Sequence, residues 1–85
     1  MTAASPMIDH KEIRRWAETH GGRPACVEGT GKGEDPGILR IDFDEKDERL
    51  TPVSWDVWFE WFERNGLALL ASADSRFNKL VARQS

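Results

Sequence analysis

Three sets of residues have types and spacing that could do chemistry. The first is His10, His20 and Cys26. An imidazole beside a thiol can activate a nucleophile, and two histidines with a cysteine can ligate a metal. If His10 and His20 open and close one helix, they stand about 15 Å apart at its rise per residue. Only one can then meet Cys26, and no orienting carboxylate or oxyanion donor is evident. Cys26 reads as a small buried hydrophobe, so no catalytic residue, metal or cofactor is expected. The second set is Gly29-x-Gly31-x-Gly33 with Lys32, a superficial phosphate cradle. It lacks the Walker spacing and leads into a strand rather than a helix N-terminus. A mobile hairpin tip is the expected role. The third set is aromatic: four Trp and four Phe, with no Tyr, in 85 residues. Flat indole surfaces can stack on a sugar or dock a partner, and they can equally fill a core.

The elements decide between these roles. Asp9 with Glu12 three residues on is a capping-box pattern, and Ile8 with Ile13 suits a hydrophobic staple. Ile13, Trp16 and Ala17 then form an apolar face. Gly21-Gly22 and Pro24 end the segment, which predicts a helix over 10–20. Residues 25–28 are short and apolar enough for a strand. Residues 29–37 form a loop, and 38–43 a strand with Leu39, Ile41 and Phe43 on one face. Asp44 to Arg49 is a charged connector. Ser54 caps a second helix that Asn65-Gly66 ends. Residues 67–71 read as a buried strand, 72–75 as a turn, and 76–82 as the partner strand of a hairpin. Phe77, Leu80 and Val81 would also fit a helix face. No internal repeat is evident. The fold class is α+β, in the order α-β-β-α-β-β, with an antiparallel sheet and two helices packed on one face. Residues 1–7 are expected to be a flexible tail and 8–85 a single domain.

On a helical wheel with Trp55 at zero, Trp58, Phe59 and Phe62 fall within about 60° of it, a single core stripe. Asp56, Glu60, Glu63 and Arg64 make the solvated arc. Trp61 and Val57 lie off the stripe and outside that arc. The helix is thus apolar over more than its packing face needs. If no other element covers them, Val57 and Trp61 are the candidate protein interface.

The net charge of −3 argues against a general attraction to nucleic acid or anionic membrane. The charge is uneven. Residues 34–63 carry three basic and ten acidic side chains, whereas residues 64–85 carry four basic and one acidic. Lys11, Arg14, Arg15, Arg23, Arg76, Lys79 and Arg83 are the candidate nucleic-acid contacts, if the C-terminal segment lies beside the first helix. The lone cysteine permits no intramolecular disulfide. The N-terminus has no secretory pattern, and the longest apolar run, Leu67 to Ala71, is far short of a membrane span. A cytoplasmic location is expected.

The blocks Ile13-Arg14-x-Trp16-Ala17-Glu18, Gly21-Gly22-x-Pro24-Ala25, Gly37 to Phe43, Ser54-Trp55-Asp56 and Ser75 to Val81 resemble a family of small uncharacterised bacterial proteins. Some of these carry the label "1,4-alpha-glucan branching enzyme". The resemblance spans about 10–83. Val57 and Trp61 depart from it, since polar residues are more usual there, and the turn at 72–75 looks shorter. Glucan branching in the usual barrel enzymes needs about 250 residues and carboxylates from several strand ends. This length excludes that chemistry, though an accessory role toward α-glucan would survive. The reading is therefore a non-enzymatic interaction module that binds a protein partner or itself. The alternatives are weak nucleic-acid binding and the accessory role.

Overall fold

The computed structural model describes residues 5–44 and 49–83. Their elements are β1 (Ser5–Met7), α1 (His10–Thr19), β2 (Arg23–Val27), β3 (Leu39–Asp42), β4 (Leu50–Pro52), α2 (Trp55–Arg64), β5 (Leu67–Ala71) and β6 (Asn78–Ala82). The α+β class and the expected order of helices and hairpins are present. Two short strands, β1 and β4, are added to them, and the strands form two three-stranded antiparallel sheets rather than one. The sheet orders are β1-β5-β6 and β3-β2-β4. The flexible tail expected over 1–7 is corrected at its end, because Ser5–Met7 pair with β5 from Ser5↔Ala71 to Met7↔Leu69. Residues 1–4 of that tail lie outside the described residues. Leu50, where the approach to the second helix was expected to begin, instead opens a strand and pairs with Val27. Residues 76–82 resolve in favour of the hairpin, with β6 paired from Leu67↔Ala82 to Ala71↔Asn78.

The caps act as their chemistry requires. The Asp9 carboxylate accepts from the N–H groups of Lys11 (2.8 Å) and Glu12 (3.2 Å). The Ser54 hydroxyl accepts from Val57 N–H at 3.1 Å. Gly21 and Gly66 follow the two C-caps at φ +79° and +60°, where a side chain would be strained. β2 begins two residues before the expected strand. Pro24 is tolerated there because it faces Ile41 at a position of the ladder where β2 and β3 exchange no hydrogen bond.

These boundaries expose an internal repeat that the sequence conceals. Each half is β-α-β-β. β1 and α1 match β4 and α2 residue for residue, 45 positions apart. Capping residues Asp9 and Ser54, buried pairs Ile13-Ala17 and Trp58-Phe62, and glycines Gly21 and Gly66 all correspond. The halves exchange their first strands: β1 joins the β5-β6 hairpin, and β4 joins the β2-β3 hairpin. Each half therefore completes the other's sheet.

One core lies among these elements. Ile13, Ala17, Leu39, Ile41, Trp58, Phe62, Leu69 and Ala71 form it. Trp58 and Phe62 are fully buried and stack at 5.3 Å. Trp16, Trp55, Phe59 and Trp61 pack against this core but stay partly exposed. The expected stripe on α2 is thus graded, deepest at Trp58 and Phe62. Among the described residues, no helix is long and apolar enough to cross a membrane.

Candidate functional site

α2 positions the two residues singled out as an interface. Its Trp58/Phe62 stripe turns inward, which leaves Val57 and Trp61 on the flank. Both are partly buried, so Trp61 is neither covered nor fully open. The Arg64 guanidinium lies 4.9 Å from the Trp61 ring and is held by Glu60 at 3.0 Å. Its repeat counterpart is Trp16. The Trp16 indole N–H donates to Ser72 O at 2.6 Å, and its ring stacks on His20. The fully buried Trp58 donates to Arg40 O at 3.0 Å. Among the described residues, no acceptor faces the Trp61 N–H. A flat ring with one cation-covered face and a free donor is an amphipathic contact surface.

A titratable cluster that the sequence did not indicate joins the two helices. His10, placed at the first turn of α1 by the Asp9 cap, stacks on Phe59 at 4.1 Å. Its Nε2 lies 2.8 Å from Glu63 Oε2. Arg83, just after β6, donates to both Glu63 oxygens, at 3.1 and 2.9 Å. The Arg83 hydrogen bonds, then the one to His10, lower the Glu63 pKa from its ordinary 4.5 to about 2. These contacts stabilise the fold fully above about pH 4.5 and are lost as the pH falls toward 2. Glu63→Gln is therefore expected to lower the urea midpoint at neutral pH. The gap from wild type should close as the pH falls toward 2 and the wild-type Glu63 is protonated. A gap that stays constant with pH would contradict the assignment.

The structure places the members of the candidate thiolate set in other roles. His10 is engaged by Glu63, and His20 Nδ1 lies 2.8 Å from Trp16 O. Cys26 is buried in β2, where burial pushes its thiol pKa up, opposite to what a nucleophile needs. Among the described residues, no group of three or more His, Cys, Asp or Glu is placed to hold a metal. The Gly-rich loop is pinned by its own bonds. Thr30 Oγ1 bridges Val27 O and Ile38 N–H, and Lys32 pairs with Asp35.

The basic set is dispersed among internal partners. Arg14 pairs with Glu18, Arg23 with Asp44, and Arg83 with Glu63. Lys11 and Arg15 are exposed on α1. Arg76 does reach α1 from the β5–β6 loop, donating to His20 O at 3.2 Å. Lys79 stands apart, lining a groove beside β3 with Arg40. No family model, curated protein or solved structure matches the chain.

Proposed function

We propose that this chain is a small non-enzymatic interaction module that docks a protein partner, or a second copy of itself, through the Val57–Trp61 flank of α2. The observation that carries the reading is the contrast between repeat mates. Both rings are partly exposed, but Trp16 spends its indole N–H inside the fold, whereas the Trp61 N–H meets no acceptor among the described residues. Aromatic residues of this kind are favoured interface anchors because they bring area and a donor at low entropic cost. Weak nucleic-acid binding is the less supported reading, since Arg14, Arg23 and Arg83 are already paired with carboxylates. The accessory role toward α-glucan rests on the sequence resemblance alone.

Trp61→Lys tests the proposal, because a partly exposed site tolerates the change better than the core would. The variant is expected to stay folded while losing a large share of self-association or partner capture. A typical interface anchor is worth at least about 2 kcal/mol, or roughly thirtyfold in affinity. Sedimentation and capture profiles identical to wild type would sink the proposal.

A further inference from the structure

The two halves of the repeat are linked by chain only at 43–49, between β3 and β4. What else joins them is non-covalent, since Cys26 is free. β1 of the first half pairs with β5 of the second, and β2 of the first with β4 of the second. The Trp58 N–H reaches Arg40 O, and the Trp16 N–H reaches Ser72 O. The core takes buried residues from both sides, Ile13 and Ile41 from one half and Trp58 and Phe62 from the other.

The link carries backbone strain. Asp44 has φ +67°, and among the described residues it is the only non-glycine with a positive φ. Its N–H donates to Asp42 Oδ1 at 2.8 Å, and its carboxylate accepts from Arg23. A left-handed aspartate still costs more than a glycine, because its Cβ crowds the following carbonyl oxygen. The link must also cross β2. β3 and β4 lie on its two sides, with Asp42 opposite Arg23 at one end and Leu50 opposite Val27 at the other. Residues 45–48 of the link lie outside the described residues, and the strained position is Asp44, before them.

We infer that the chain exchanges whole halves between two copies, giving a closed dimer in which each first half completes the second half of the other copy. Both forms share the strand pairs, the indole hydrogen bonds and the core, so these contacts do not choose between them. The link does. It straightens on exchange, Asp44 leaves the left-handed region, and the dimer gains that relief twice. Against this, a short link presents a chain's own half at an effective concentration of order millimolar, which a second copy must match. The exchange is independent of the Val57–Trp61 flank, whose surface is the same in both forms.

The test refolds the full chain from urea at about 1 mM and separates dimer from monomer by size exclusion. Pro6 and Leu70 stand opposite one another in β1 and β5, and Pro6 is exposed. Pro6→Cys with Leu70→Cys, oxidised after refolding, therefore reports which copy supplies β1. The dimer fraction is expected to run as a covalent dimer on a denaturing gel, and the monomer fraction to be bridged within one chain. Asp44→Gly and Asp44→Ala both lose the Arg23 pair but move the strain in opposite directions. The dimer dissociation constant should rise at least about tenfold in Asp44→Gly and fall in Asp44→Ala. Trp61→Lys should leave it unchanged. The exchange is ruled out if no dimer forms at that concentration, or if the dimer fraction is bridged only within single chains, as a flank-to-flank dimer would be. It is ruled out equally if Trp61→Lys abolishes the dimer. Asp44 variants that do not move apart would show that the link is not the hinge and would overturn it too.

Discussion

Replacing Trp58 with alanine is expected to cost about 3–5 kcal/mol, the range for a buried aromatic cut back to a methyl group. The side chain is fully buried and stacks on Phe62. It also contacts the edges of Trp55 and Phe59 at 5.6 and 5.2 Å. Its N–H ties α2 to the Arg40 carbonyl of β3, 18 residues earlier. The change thus opens a cavity and removes a bond between a helix and the sheet. A domain of this size is stabilised by only about 5–15 kcal/mol, so the loss is a large fraction of the total. The urea midpoint should fall steeply. Trp61→Ala should lose far less, because its ring is only partly buried and donates to nothing inside the described fold. Equal losses at the two positions would contradict the core assignment.

Gly37→Ala is the second large effect, at about 1–3 kcal/mol. Gly37 sits at φ +100°, a conformation that L residues rarely adopt. A Cβ there would also come within 2.6 Å of the Thr30 carbonyl carbon and 2.7 Å of Gly31 N. Backbone cannot step aside as a side-chain tip can. The Thr30 hydroxyl would be pushed too, and it holds both Val27 O and Ile38 N–H. The damage would spread into the start of β3. Gly33→Ala is the internal control. Gly33 has φ +63° but open space around it, so its cost should be clearly smaller. Equal urea midpoints for the two variants would show that crowding at Gly37 is unimportant.

Both helices could be read from the sequence because caps and apolar spacing are local signals. Asp9, Ser54, Gly21 and Gly66 mark boundaries within one turn of chain. The face of β3 was legible too, since Leu39 and Ile41 are buried while Arg40 and Asp42 are less so. β1 and β4 were not, because three residues carry no usable alternation and their partners lie at least 62 and 23 residues away, at Met7↔Leu69 and Val27↔Leu50. The repeat stayed hidden for a related reason. Across the cap-to-glycine stretch, Trp16/Trp61, Glu18/Glu63 and Gly21/Gly66 coincide, while the core volumes differ from Ile13-Ala17 to Trp58-Phe62. Trp61 could be singled out by helical spacing alone. The His10–Glu63–Arg83 cluster could not, since it joins residues 53 and 20 apart.

The repeat provides its own control for the central claim, that Trp61 is the anchor of an interface. The four indole N–H protons can be followed by NMR, first at increasing protein concentration and then with any captured partner. The Trp61 resonance is expected to shift and gain protection, while those of Trp16 and Trp58, bonded to Ser72 and Arg40 carbonyls, stay in place. A Trp61 resonance that never moves as association proceeds would contradict the account.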